Sequence, residues 1–234
     1  MLEKSTLSGL SEVSRAKLLG ALGQVLTAVG DYEEAASLLA EAVEIFKAIE
    51  PLEVSRAYNY LIHNRLRAGD LTKAQDLLFE SEGWIEETDT YGKLFRAFYR
   101  AELDRRYKRP SPRPKLPEGY PGLIHPYAFA LQAWARNLTH LAKDRKEAIE
   151  EAADRLEQVP AKGGVLEFLA HTYRVYKAVL LAEEDSFRKA RKNWQTWLDQ
   201  HGKSPFKHRY QQIPFELEEA RTYMDELMDR IPYH

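Results

Sequence analysis

Cysteine is absent from all 234 residues, which removes disulfide frameworks, thiolate nucleophiles and thiolate metal sites together. Long apolar runs are missing as well. No uninterrupted stretch approaches the roughly 20 residues that cross a bilayer, and the opening Met1-Leu-Glu-Lys-Ser-Thr lacks the basic region and apolar core of a secretory signal. A cytoplasmic location is the expectation.

The short motifs of catalysis are also lacking. There is no glycine-rich phosphate loop, no His-Glu-x-x-His, no Gly-x-Ser-x-Gly and no calcium loop; Gly163-Gly164 reads as a turn before a helix. The seven histidines are scattered, with no pair at ligand spacing on one predicted helix, and His201 and His208 are separated by a Gly/Pro break. They read as structural. Carboxylate runs at Glu33-Glu34, Glu86-Glu87 and Glu183-Glu184-Asp185 fall near predicted helix ends, where solvation and the helix dipole account for them. Neither an enzyme nor a bound cofactor or metal is expected.

What is present is the balance of a chain whose elements each bury one face: 44% hydrophobic and 30% charged residues. The net charge of -2 hides a split. Residues 1–90 hold 8 Lys/Arg against 16 Asp/Glu, whereas residues 91–115 hold 9 against 2. An acidic front is thus followed by a short basic block, a pattern that faces water or a partner.

Self-similarity decides the fold class. Leu18, Leu19, Leu22, Val25 and Leu26 give residues 16–29 a helical period, which stops at Gly30 and restarts at Asp31-Tyr-Glu-Glu-Ala-Ala-Ser-Leu-Leu. Gly30 suits the left-handed end of one helix, and Asp31, with Glu34 three residues later, suits a capping box for the next. The pattern returns 39 residues on, with Tyr58-Asn-Tyr-Leu-Ile-His in a first helix, Gly69-Asp70 at the turn and Leu71-Thr-Lys-Ala-Gln-Asp-Leu-Leu in a second. Ala35 and Ala74 hold the same place after the turn, where helix backbones approach closely.

In these hairpins the chain resembles the tetratricopeptide repeat family. Leu22, Gly23, Leu26, Gly30-Asp31-Tyr32, Ala35, Leu39 and Ala42 stand at the signature spacings in the first copy, and Leu61, Gly69-Asp70, Ala74 and Leu78 do so in the second. Ile62 replaces a small residue and Ser81 an alanine. The match covers residues 14–86 and, more loosely, 127–201. There Asp144-Arg-Lys-Glu147, Ala148, Ala152 and Pro160 outline one second helix, and Ala178, Leu181, Ser186-Phe187, Ala190, Trp194 and Gly202 another hairpin. The resemblance implies an all-α fold of antiparallel helix hairpins stacked as a right-handed solenoid that binds other proteins.

Residues 88–108 read as one amphipathic helix, followed by Arg109-Pro-Ser-Pro-Arg-Pro-Lys-Leu-Pro-Glu-Gly-Tyr-Pro-Gly. Prolines at this density forbid a helix and favour extended geometry. The chain therefore divides into N-terminal hairpins (1–108), a proline-rich basic loop (109–124), and C-terminal hairpins with a capping helix from about Phe215 (125–234). One continuous stack is favoured over two solenoids joined by the loop. Trp134, Trp194 and Trp197 recur among apolar residues at helical spacing and read as core.

In the resembled family the first helix of each repeat lines a concave groove, and its groove positions fall on Lys17, Gln24, Arg56, Asn59, His63 and Arg67. Lys93, Arg96 and Arg100 repeat the spacing of Arg56, Asn59 and His63, so they share a face of their own helix. Such an Arg/Lys/Asn strip suits recognition of carboxylates. An acidic peptide or a partner protein is the expected ligand. The basic residues Arg105, Arg106, Lys108, Arg109, Arg113 and Lys115 continue into the proline loop, which makes nucleic acid the rival partner; an isoelectric point near 6.4 and the lack of a nucleic-acid-binding signature weigh against it.

Overall fold

The computed structural model describes residues 10–85, 89–115, 124–137, 147, 150, 151, 154, 165–200 and 213–230. Every regular element among them is helical. No helix among the described residues is long and apolar enough to cross a membrane. Residues Met1–Pro112 and Arg113–His234 form two compact units.

In the first unit, α1 (Glu12–Val29) begins at Ser11, whose hydroxyl accepts a hydrogen bond from the Ser14 amide. It ends at Gly30, with φ 94° in the left-handed region, and the Asp31 amide donates back to the Leu26 carbonyl at 3.0 Å. Helix α2 (Tyr32–Ile49) follows at once. The turn repeats at Gly69, with φ 78° and the Asp70 amide donating to the Arg65 carbonyl at 3.0 Å, between α3 (Pro51–Ala68) and α4 (Leu71–Ser81). A single residue, Glu50, separates α2 from α3, and Pro51 takes the first helical position, where its missing N–H is not needed. A short 3₁₀ turn (Glu82–Trp84) precedes α5 (Thr90–Arg106).

A side-chain cap forms at the second turn but not at the first, where one was expected. Asp70 accepts from the Lys73 amide at 3.1 Å, but the Asp31 side chain makes no capping bond, so no capping box closes there. Instead Glu33 in the first turn of α2 receives the Arg65 guanidinium at 2.6 Å, and burial of Arg65 ties α3 to the preceding turn. Asn64 reinforces the link, donating to Thr27 Oγ1 at 3.0 Å and to the Tyr32 carbonyl at 3.1 Å. The 88–108 helix is two residues shorter at each end, starting at Asp89, which caps Gly92 at 2.8 Å and receives the Ser55 hydroxyl at 3.1 Å.

Helices α1 to α4 pack in series, each against the next, and α5 packs on α3 and α4. Close approach of α1 and α2 depends on Gly23: a Cβ there would lie 2.5 Å from Leu39 Cγ and 3.2 Å from the Ala35 carbonyl oxygen. At the same place in the second hairpin Ile62 is fully buried, and Ala74 and Leu78 are buried as well. Helix α5 ends with Lys108 in the left-handed region, φ 55°, and the Arg109 amide donating to the Asp104 carbonyl. Residues 109–115 have no regular structure.

The second unit contains α6 (Ile124–Asn137), α7 (Val165–Leu181), α8 (Glu184–Gln200) and α9 (Leu217–Arg230). Glu147, Glu150, Glu151 and Asp154 are also helical. Both α8 and α9 pack on α7. The α7–α8 turn uses Ala182 at φ 56°, a left-handed position reached without glycine. Trp134, Trp194 and Trp197 are buried, Trp194 donating to Thr172 Oγ1 at 3.3 Å. Arg113 folds onto this unit, 5.4 Å over the Trp134 ring and ion-paired with Glu151, which also accepts from Tyr127. The expected features at Asp144, Ala148, Ala152, Pro160, Gly163-Gly164 and Gly202 lie outside the described residues.

Candidate functional site

A cavity of about 270 Å³ opens beside α1, α2 and α3. Its floor is small and apolar because Ala16, Ala21, Ala42 and Ala57 leave room above Leu39 and Phe46, and because Gly20 contributes no side chain at all. A Cβ added to Gly20 would meet nothing within 4 Å. Polar groups gather at the rim: Lys17, Gln24, Glu53, Arg56 and Tyr60. Three of the expected groove positions, Lys17, Gln24 and Arg56, are thus brought to one cavity.

The rim groups differ in how far they are engaged. Arg56 is ion-paired with Glu53 at 3.1 Å, and its guanidinium lies 5.5 Å from the Tyr91 ring centroid. Burial pushes the Tyr60 hydroxyl above its usual range, opposed by Arg56 and by a hydrogen bond with Gln24. Tyr91 is raised for the same first reason, again opposed by Arg56. Lys17 is exposed and has no ion-pair or hydrogen-bond partner among the described residues. It is the rim charge most open to a ligand.

The remaining expected residues are distributed elsewhere. Asn59 is buried, with its Nδ2 unpaired, and so does not present itself as an open groove donor. His63 and Arg67 are half-buried on the same face of α3. Lys93 is exposed on α5, while Arg96 is ion-paired with Glu82 and Arg100 lies 4.0 Å from the same carboxylate. Since Tyr91 marks the side of α5 that meets Arg56, Arg96 and Arg100 stand roughly 140° and 180° round the helix from it. The strip expected across α3 and α5 therefore resolves into two groups on different faces.

The basic block is tied down by acids. Residues 91–115 contain two carboxylates, Glu102 and Asp104, and both are buried. Glu102 accepts from Arg105 at 3.0 Å and from Arg106 at 2.6 Å, and Asp104 is paired with Arg109, itself 4.9 Å over Tyr107. Arg113 is held by Glu151: burial alone would lower its pKa, but the hydrogen bond to Glu151 and the attraction of that carboxylate raise it. Lys108 and Lys115 are exposed.

Charge is also segregated helix by helix, which its distribution along the chain conceals. The first helices of the two hairpins, α1 and α3, carry five basic residues (Arg15, Lys17, Arg56, Arg65, Arg67) against two acidic ones (Glu12, Glu53). The second helices, α2 and α4, carry two basic (Lys47, Lys73) against six acidic. The acidic front is thus acidic on one type of helix and basic on the other. Among the described residues no group of three His, Asp or Glu side chains is placed to hold a metal ion.

No protein-family model, no curated protein and no solved structure matches this chain.

Proposed function

We propose that the chain is a protein-interaction module of the tetratricopeptide type, whose first unit binds an acidic segment of a partner protein in the groove floored by Gly20 and rimmed by Lys17 and Arg56. The observation that carries this reading is the cavity itself: a largely apolar hollow between the two basic first helices and α2, with an exposed lysine at its edge that has no partner among the described residues. The repeat assignment draws support from the paired left-handed glycine turns and from Gly23 resting on Leu39 and Ala35, a small residue where the motif calls for one. A guanidinium and an ammonium beside an apolar hollow suit a peptide that alternates carboxylates with other side chains.

The nucleic-acid alternative is not favoured by the same inventory. Arg105, Arg106, Arg109 and Arg113 already have carboxylate partners, so exchanging them for phosphates would strand buried or half-buried acids.

Capture from an extract of the native source, followed by mass spectrometry, tests the reading with three forms of the full chain. The Lys17→Glu/Arg56→Glu variant is expected to lose the partner that wild type retains. The Lys93→Glu/Arg100→Glu variant, altered on the other face, is expected to keep it. Circular dichroism should show all three equally helical. Equal capture by all three would remove the groove from consideration.

A further inference from the structure

We infer that the cavity is a side-chain pocket, and that the acidic segment received by the groove carries one bulky aliphatic, methionine or phenylalanine side chain next to its carboxylates. This rests on the groove reading and adds a specificity determinant, Gly20.

Three observations converge. First, no charged group lies on the floor: Ala16, Ala42, Ala57, Leu39 and Phe46 are apolar, and Gln24 at the edge donates to the Gly20 carbonyl of its own helix at 3.4 Å. A polar ligand group placed there would give up its water without gaining partners. Second, the space is held open by composition. Gly20 is buried, yet a Cβ on it would touch nothing within 4 Å, and about 270 Å³ is ample for one large side chain. A helix-interior glycine destabilises its helix relative to alanine, and nothing in the packing requires it at position 20. Third, charge complementarity selects the neighbours of that side chain. Lys17, exposed and without a partner among the described residues, stands one turn before Gly20 on α1, and Arg56 stands across the cavity on α3. A carboxylate flanking the inserted side chain meets one of them.

Fluorescence anisotropy with labelled acidic peptides separates the two layers of the argument. The probes are decapeptides of Glu and Asp with one central Leu, Phe or Gly, titrated into the full chain. Wild type is expected to bind the Leu or Phe peptide at least roughly tenfold more tightly than the Gly peptide, the gain that burying such a side chain supplies. Gly20→Leu fills the hollow from within. It is expected to abolish the preference for the Leu peptide over the Gly peptide. Gly20→Ala, a smaller filling at the same site, should give an intermediate loss and guards against a folding artefact in the larger variant. If Gly20→Leu binds all peptides as wild type does while Lys17→Glu/Arg56→Glu binds none, the pocket is overturned and the groove stands. If neither variant changes binding, or wild type binds no peptide, both fall.

Discussion

Two basic regions of the first unit use similar residues to different ends. At the groove rim, Lys17 has no partner among the described residues, and Arg56 shares the Glu53 carboxylate and a tyrosine face. In the stretch from Arg96 to Arg109, each arginine lies on a carboxylate at ion-pair distance, Arg100 at 4.0 Å being the longest, and two of those carboxylates are buried. The second region has the higher density of positive charge in the sequence. The first has an exposed lysine set beside an apolar hollow. Charge density along a chain is therefore a poor guide to a binding surface, because the strongest clusters are also those best able to bury an acid.

The largest effect that sharpens this contrast is on stability. Glu102→Ala leaves Arg105 and Arg106 facing each other without their shared carboxylate, and removing one member of a buried ion cluster costs about 3 kcal/mol. Urea denaturation of the full chain, followed by helical circular dichroism, is expected to show the loss. Lys17→Ala at the rim should leave the denaturation midpoint where it is. A Glu102→Ala variant as stable as wild type would mean that the basic block is not anchored by its acids.

The contrast between filled and open recurs one turn apart on α1. Gly23 is pressed against Leu39, which is buried in the core, whereas Gly20 faces the cavity. Gly23→Ala should therefore destabilise the first unit by about 2 kcal/mol, the typical cost of overpacking. Gly20→Ala should stabilise it by about 1 kcal/mol, the difference in helix propensity. Thermal melts of the pair check the sign. The same sign in both would erase the distinction between a packing glycine and a pocket glycine.

Much of the architecture was legible because local signals agree with packing. Gly30 and Gly69 sit where a left-handed residue ends a helix, Ala35 and Ala74 lie in the core, and the spacing of Trp134, Trp194 and Trp197 placed them inside. The site was legible only in part. Lys17, Gln24 and Arg56 follow from the repeat register, but Asn59 occupies the same kind of position and is buried. Position along a helix sets a direction; how deeply the neighbour packs sets exposure. The pairing of Arg65 with Glu33, and of Arg109 with Asp104, depends on which elements meet in space, and spacing in a single helix does not encode the first of these at all. The cavity was invisible for a related reason: alanine and glycine at 16, 20, 21, 42 and 57 look like helix-packing residues until it is known that nothing fills the space between them.

A smaller effect tests whether tied-down cations also govern the acidic helices. Lys47 joins α2 to α4 through Glu80 at 3.1 Å, lies 5.3 Å over the Tyr58 ring, and Tyr58 donates its hydroxyl to the same Glu80 carboxylate. Burial, then the bond to Glu80, pushes the Tyr58 hydroxyl up to about 12. An unfolded tyrosine titrates near pH 10, so the folded state holds this proton more tightly. Its contribution is complete below about pH 10 and is lost as pH rises toward about 12. We expect a loss of about 1 kcal/mol across that window, below the full linkage value because the partner Glu80 is largely exposed and its charge is screened. Tyr58→Phe should remove the slope attributable to this residue while leaving the helices formed. Denaturation midpoints measured at successive pH values for both proteins compare the slopes directly. Parallel curves would mean that the Lys47, Tyr58 and Glu80 contacts add nothing to stability, and that partnered cations matter only where, as at Glu102, the acid is buried.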